Sequence, residues 1–238
     1  MERIDKILAN LGYGSRKEIK KLAKNGDIEV EGKTIKDVSA KVDPNTMIIK
    51  VFGEEILYRE YVYIMLNKPN GVVSATHDNY DETVVDLLPY EYQVFKPAPV
   101  GRLDKDTVGL LLLTNDGELN HRLTSPKHHV DKVYYAEIDQ KVDERDIAEF
   151  KKGIVLEDDY ECLPAKLEII TANEHGSEIL LTIREGKFHQ VKRMFIARGK
   201  NVVFLKRVKM GPLELDKNLA KGLFRELTEE EVAQLKMI

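Results

Sequence analysis

Residues 100–117 read VGRLDKDTVGLLLLTNDG, and this stretch decides the architecture of the chain. Its second half contains four consecutive leucines, Leu110 to Leu113, which predict a buried strand. Its first half is a charged segment punctuated by glycines, which predicts a turn. Arg102 and Asp104 therefore lie directly before one of the most apolar segments, where an unpaired charge is costly. This arrangement has two interpretations, a functional carboxylate on a loop beside a rigid strand or a turn aspartate that caps backbone amides.

The composition predicts a soluble globular protein. The chain has 238 residues, of which 42% are hydrophobic and 33% charged. No apolar run approaches the length of a membrane-spanning helix, and the polar start is unlike a signal peptide. Cys162 is the only cysteine, so the chain cannot form an internal disulfide. These features favour a cytoplasmic protein with no membrane partner.

The charges are unevenly distributed behind a net charge of -4. Residues 1–24 carry seven basic and three acidic side chains, and residues 184–209 carry nine basic and one acidic. Residues 137–168 carry eleven acidic and five basic. The two basic segments predict surfaces for an anionic partner, although runs of charge also occur on ordinary solvated faces.

Local patterns predict an α+β chain. In the first 60 residues, two short helices precede short strands, and Ser15 with Glu18 forms a capping box for the second helix. Beyond them we predict a strand at 61–66, a helix after Thr83 closed by Pro89, a strand at 110–114 and a helix to about residue 124. The later elements predicted are strands at 132–138, 166–170, 178–183 and 201–204 and helices at 144–152, 187–198 and after Thr228.

Residues 101–117 resemble the signature of RsuA-type pseudouridine synthases, which modify ribosomal RNA. Four further segments resemble motifs of that family: NKPNG at 67–71, KVY at 132–134, EGKFHQVKRMF at 185–195 and LKRVKMGPL at 205–213. The resemblance covers nearly the whole chain. It implies a small αL-type RNA-binding domain at 1–58, followed at 61–238 by a catalytic domain with the pseudouridine synthase fold. That fold is a mixed, mainly antiparallel β-sheet with flanking helices.

The resemblance also implies the chemistry of the site. Converting uridine to pseudouridine breaks the N-glycosidic bond, rotates the base and rejoins it through C5. This isomerisation needs a carboxylate but no cofactor and no metal. The family assigns the carboxylate to Asp104, a base-stacking phenol to Tyr134 and a cation that keeps Asp104 ionised to Lys187. Arg102 would fill the gap left by a flipped-out uridine.

The remaining site residues are predicted to support the site or to bind RNA. Lys68 and Leu181 are expected to be supporting residues, and Lys192 and Arg193 to contact RNA, while Phe188, Val191 and Phe195 are predicted to form a buried stripe. A phosphate-facing surface is expected on the second helix, from Arg16, Lys17, Lys20, Lys21 and Lys24. The adjacent His128 and His129 lack a Cys/His/Asp cluster that would complete a metal site.

Several alternatives remain open at the level of sequence. Asp104 and Asp106 could form a carboxylate pair as in a glycosidase, although Asp106 is expected to bond local backbone. The chain could also act on large-subunit rather than small-subunit (16S) rRNA, or be a non-catalytic ribosome-assembly factor. We expect a monomer whose partner is ribosomal RNA, either free or within an assembling subunit.

Overall fold

The computed structural model describes residues 1–44, 46–56 and 58–238. They form two compact units, one comprising Met1–Val62 with Pro89–Lys96 and the other Tyr63–Leu88 with Pro97–Ile238. No helix among these described residues is both long and apolar enough to span a bilayer.

The first unit contains three helices and two small antiparallel sheets. The helices are α1 (Ile4–Asn10), α2 (Arg16–Asn25) and α3 (Tyr90–Gln93). The strands are β1 (Glu2–Arg3), β2 (Ile28–Val30), β3 (Lys33–Thr34), β4 (Lys41–Val42), β5 (Ile49–Val51) and β6 (Glu54–Glu55). One sheet has the order β3-β2-β5-β6, and the other pairs β1 with β4.

Helix α2 begins and ends at the predicted signals. The capping box at Ser15 and Glu18 is confirmed, since each side chain bonds the other residue's backbone amide. Gly26 ends the helix in the left-handed conformation, with φ of +90°. Ile19 and Ala23 are fully buried against the core of this unit. The helix is therefore anchored by one apolar face and leaves its charged face to solvent.

The second unit is built around a nine-stranded sheet. Its strands are β7 (Tyr63–Lys68), β8 (Ala98–Pro99), β9 (Val108–Thr114), β10 (Lys132–Ile138), β11 (Lys166–Asn173), β12 (Gly176–Ile183), β13 (Val202–Met210), β14 (Leu213–Glu214) and β15 (Phe224–Glu226). Its helices are α4 (Gly117–Thr124), α5 (Glu144–Lys152), α6 (Gln190–Ile196) and α7 (Glu229–Lys236), with a 3₁₀ turn at Pro126–His128.

The sheet is mixed and mainly antiparallel, as predicted. The strand order is β11-β12-β10-β13-β9-β7-β15, with β14 paired to β13 and β8 to β9. Strands β9 and β13 are parallel, and the other strand pairs of this sheet are antiparallel. One core of this unit forms where Leu110 and Leu112 of β9 pack with Leu119 and Leu123 of α4.

One predicted helix is wrong, and a second starts later than predicted. Residues 84–87 form a turn, because Thr83 donates from both its amide and its hydroxyl to the carboxylate of Asp86 at 2.8 Å. Pro89 precedes α3 rather than closing a helix. Helix α6 starts at Gln190, not at Lys187, because His189 adopts a positive φ of 49°. The predicted strand at 201–204 also extends to Met210.

Candidate active site

The loop at residues 100–107 joins β8 to β9 and carries Asp104. Backbone hydrogen bonds fix it, from Val100 N to Leu112 O at 2.8 Å and from Thr107 N to Asp104 O at 3.0 Å. Leu103 is buried, whereas the Asp104 side chain keeps 27% of its surface exposed. The loop therefore has a fixed backbone and an accessible carboxylate.

Lys68, at the end of β7, holds the backbone of this loop. Its side chain is fully buried, and its ammonium group donates to four carbonyl oxygens at 3.0–3.2 Å, those of Pro69, Asp104, Lys105 and Thr107. Burial lowers the pKa of Lys68 to about 8, against the opposing charges of Asp106 and Asp104. Lys68 thus bonds backbone atoms and does not contact the Asp104 carboxylate.

The segment after Lys68 adds a second set of restraints. Ser74 Oγ donates to Leu103 O at 2.9 Å and accepts from Leu103 N at 3.1 Å. The amide of Gly71 donates to Lys105 O at 2.9 Å. The segment that follows β7 therefore positions the Asp104 loop through the Ser74 hydroxyl and the Gly71 amide.

Lys192, in the first turn of α6, is the lysine beside the Asp104 carboxylate. Its ammonium nitrogen lies 3.3 Å from Asp104 Oδ2 and 2.6 Å from Asp106 Oδ1. His189 Nε2 lies 3.7 Å from Asp104 Oδ1. A cation at this distance stabilises negative charge on a carboxylate that is only partly exposed to water. Lys192 was predicted as an RNA contact, and in the structure it lies beside the Asp104 carboxylate.

The pairing predicted between Lys187 and Asp104 is wrong. The ammonium group of Lys187 lies over the ring of Tyr160, 4.5 Å from its centroid. Tyr160 in turn donates its hydroxyl to Glu185 at 2.7 Å, and this bond raises the pKa of Tyr160 to about 12. The structure thus brings Lys192, from the first turn of α6, to the Asp104 carboxylate and leaves Lys187 on the ring of Tyr160.

Asp106 is coupled to the site through Lys192. Burial raises its pKa, but the hydrogen bond and charge of Lys192 outweigh burial, so the pKa lies below its ordinary value of 3.8. Asp106 was expected to bond local backbone. It also shares the cation of Asp104, which makes it a second carboxylate on the same ammonium group.

Register aligns several predicted site residues in one row across the sheet. Lys68 pairs with Gly109, Gly109 with Arg207, Arg207 with Tyr134 and Tyr134 with Leu181. Residues opposite each other on neighbouring strands share a face of the sheet. Tyr134 therefore lies two strands from Gly109, about 10 Å at the usual strand spacing. Lys68 and Leu181, which were predicted as supporting residues of the site, lie in the same row.

Arg207, in the centre of this row, was not predicted as a site residue. It is 2% exposed, its Nε donates to Leu110 O at 2.8 Å, and its Nη2 has no hydrogen-bond partner. Lys132 lies on the same face of β10 as Tyr134, and its ammonium group donates to Val130 O at 2.9 Å. Burial, together with the charge of Arg207, lowers the pKa of Lys132 to about 8. The sequence signal was a lone arginine among the hydrophobic positions of a strand.

Arg102 and Arg193 differ in availability. Arg102 is exposed, and the structure gives it no ion pair among the described residues. Arg193 is held by two carboxylates, Glu157 at 2.6 Å and Asp158 at 2.7 Å, and only 15% of its side chain is exposed. The RNA contact predicted for Arg193 is therefore opposed by its geometry. The side chains of Glu157 and Asp158 remain 63% and 57% exposed, so this acidic stretch holds Arg193 from the protein surface.

The five predicted cations of α2 are all exposed. Within the described part of the chain, no ion pair is found for Arg16, Lys17, Lys20, Lys21 or Lys24. They follow one another along a helix of ten residues, opposite its buried face. Such a surface presents unpaired positive charge to solvent, which suits contact with phosphates.

Two family models and several known proteins match this chain. A family model described as RNA pseudouridylate synthase matches residues 62–197, and one described as S4 domain matches residues 2–48. An RNA pseudouridine synthase of Bacillus subtilis (strain 168) is 53% identical over 97% of this chain and 96% of its own length. A ribosomal small subunit pseudouridine synthase A of Vibrio cholerae is 41% identical, over 98% of this chain and 99% of its own.

A solved structure supports the same fold. The crystal structure of a pseudouridylate synthase superposes with a TM-score of 0.69 at 38% identity. The match covers 99% of this chain and all of that one.

Proposed function

The chain belongs to the RNA pseudouridylate synthase family, and we propose that it isomerises one specific uridine of ribosomal RNA. Asp104 is the proposed catalytic carboxylate. The main support is the partly exposed carboxylate, fixed on a loop whose carbonyl groups bond Lys68 and paired at 3.3 Å with Lys192. A rigid, ionised and accessible oxygen is what a carboxylate nucleophile requires.

The reaction conserves every atom of the uridine. The bond between C1′ and N1 breaks, a bond between C1′ and C5 forms, C5 loses a proton and N1 gains one. One oxygen of Asp104 can form the transient bond, either to the sugar or to the base. The charge of Lys192 stabilises that carboxylate when it leaves.

Tyr134 and Arg102 are proposed to handle the base. Tyr134 is buried, with 7% of its surface exposed, and it supplies an aromatic ring and a phenol hydroxyl, which suit stacking on uracil and proton transfer. A uridine in folded RNA must leave its stack before it can reach a carboxylate. Arg102, exposed and two residues from Asp104, can fill the vacated position with its planar guanidinium.

We further propose that residues 1–58 form an RNA-binding domain and residues 61–238 the catalytic domain. The exposed cations of α2 would hold phosphates and so set position and affinity, not sequence choice. We propose small-subunit (16S) rRNA as the target because a 41% identical relative is named for that subunit. The RNA would be bound by a cytoplasmic monomer, either free or in an assembling subunit.

A pseudouridine map of rRNA tests the proposal. The gene is deleted and then complemented with the wild-type protein, with Asp104→Asn or with Asp159→Asn, an exposed carboxylate whose positive φ of 60° suits asparagine. One small-subunit pseudouridine should disappear on deletion and return with the wild-type and Asp159→Asn proteins only. If the Asp104→Asn protein restores the wild-type map, Asp104 is not the catalytic carboxylate. If the pseudouridine lost on deletion lies in large-subunit rRNA, the proposed small-subunit target is wrong. Release of free uracil would indicate hydrolysis in place of isomerisation.

A further inference from the structure

Phe188 is exposed to solvent beside the carboxylate site. The sequence predicts it as part of a buried stripe with Val191 and Phe195, but 75% of its surface is accessible. One face of its ring packs on the imidazole of His189, with ring centroids 3.8 Å apart and planes 17° from parallel. The two rings therefore form a short stack whose outer face has no covering group.

The loop that carries this stack is anchored. Glu185 is buried, and its carboxylate accepts from Leu163 N at 2.8 Å and Gln190 Nε2 at 2.6 Å. Gln190 Oε1 accepts from Lys187 N at 2.9 Å. The exposed ring of Phe188 is thus attached to a backbone fixed on both sides.

The chain turns at His189, between the exposed and the buried residues of this segment. The φ of His189 is 49°, in the left-handed region, where histidine is one of the more common residues with a side chain. Before this turn Phe188 faces solvent, and after it Val191 and Phe195 are buried.

The stack lies next to the reacting carboxylate and to positive charge. His189 Nε2 is 3.7 Å from Asp104 Oδ1, and Lys192 contacts the same carboxyl group. Lys187, which precedes Phe188, is exposed as well. An exposed aromatic face bordered by cations suits single-stranded nucleic acid, whose bases stack on the ring while its phosphates meet the charges.

We propose that Phe188 is a stacking platform for the unpaired RNA base next to the target uridine. The inference rests on the proposed function of the same site. When the target nucleotide leaves the helix, its neighbour loses a stacking partner, and the outer face of Phe188 replaces it. Stacking on an aromatic ring tolerates any base, so the platform positions the strand without choosing its sequence.

A double-mutant cycle between the ring and the base tests this proposal. The probes are single-stranded RNA nonamers with one central uridine and 2-aminopurine on its 5′ or its 3′ side, together with matched nonamers abasic at that position. Full-length proteins are compared as wild type, Phe188→Ala, Phe188→Tyr and Ile196→Ala. Ile196 is an equivalent control because it is an exposed apolar residue of α6.

We expect the wild-type protein to quench one of the two 2-aminopurine probes. Phe188→Ala should lose that quenching and bind the probe about 5- to 150-fold more weakly, the range that stacking of one base on an aromatic side chain supports. Phe188→Tyr and Ile196→Ala should behave as wild type. All four proteins should bind the matching abasic probe with equal affinity and unfold at similar temperatures.

Three results would overturn the inference: absence of quenching by the wild-type protein, unchanged quenching by Phe188→Ala, or an equal loss of affinity for intact and abasic probes. The last would indicate that Phe188 contacts something other than a base, such as a protein surface. Failure of the stacking proposal can be distinguished from failure of the proposed function. Pseudouridine formation by the Asp104→Asn protein would refute the catalytic role of Asp104 but would leave the binding results for Phe188 unchanged.

Discussion

Replacing Gly109 by alanine should destabilise the catalytic unit strongly. Gly109 lies in the middle of the row that links Lys68 to Tyr134, where β9 runs parallel to β13. A Cβ at this position would overlap the carbonyl oxygen of Arg207 and lie 2.8 Å from Lys206 Cγ and 3.1 Å from Arg207 N. Two of these three atoms belong to the backbone of a central strand, which cannot move without breaking its pairing.

The magnitude follows from two costs. The φ of Gly109 is +100°, a conformation that costs a residue with a side chain about 1–3 kcal/mol. Overpacking against a fixed neighbour adds about 1–3 kcal/mol. The expected loss is therefore about 2–6 kcal/mol, a large part of the stability of an ordinary domain. For a unit of this size it corresponds to a fall of about 4–24 °C in melting temperature.

Thermal unfolding followed by circular dichroism measures the effect, with Gly117→Ala as the matched control. Gly117 opens α4, its φ is ordinary, and an added Cβ would meet nothing within 4 Å. That substitution should stabilise the helix by about 0.5–1 kcal/mol, because alanine is the better helix former. A Gly109→Ala protein that melts within 2 °C of wild type would refute the argument that close strand approach requires glycine here.

Two further predictions concern charge. Lys192→Met should lower kcat about 100-fold or more, because it removes the cation from the Asp104 carboxylate. Lys187→Met should retain kcat within about tenfold. Equal losses of the two variants in single-turnover assays would contradict the assignment of Lys192 as the cation beside Asp104. Hydrogen bonds from Lys200 and Arg198, together with one from the Asp143 amide, lower the pKa of the buried Asp146 below 3.8 although burial opposes them. Its carboxylate therefore stabilises the fold above about pH 4, the ordinary titration range of an aspartate, and loses that contribution as the pH falls below it. The stability gap between wild type and Asp146→Asn, measured by urea unfolding, should shrink over that range, and a gap independent of pH would exclude the linkage.

Features set by neighbouring residues could be predicted from the sequence. The capping boxes at Ser15 and Thr228 form as expected, since each needs only a side chain and an amide three residues away. The strand at Lys132–Ile138 and the helix at Glu144–Lys152 have their predicted bounds, because alternation and helical periodicity are local signals. The family and the fold class were equally accessible, because the motifs are long and their order is preserved.

Features that depend on distant segments could not be predicted in this way. Nothing in the sequence indicated that Lys68 bonds four carbonyl groups up to 39 positions away, or that Arg207 lies between Gly109 and Tyr134. The identity of the cation beside Asp104 was also mispredicted. The motif resemblance pointed to Lys187, whereas the structure brings Lys192 to the carboxylate, because the path of the folded chain decides which side chain of a segment reaches a distant loop.

The sequence by itself determined the chemistry available to this protein: a carboxylate on a turn before a buried strand, a tyrosine on an alternating strand and basic segments that suit RNA. Those properties reside in residue types and their local spacing. Only the tertiary structure decided which groups meet, because contacts between β9, β13 and α6 join residues about 90 positions apart. It therefore assigned Lys192 to Asp104, left Lys187 on Tyr160 and placed the ring of Phe188 in solvent beside the site.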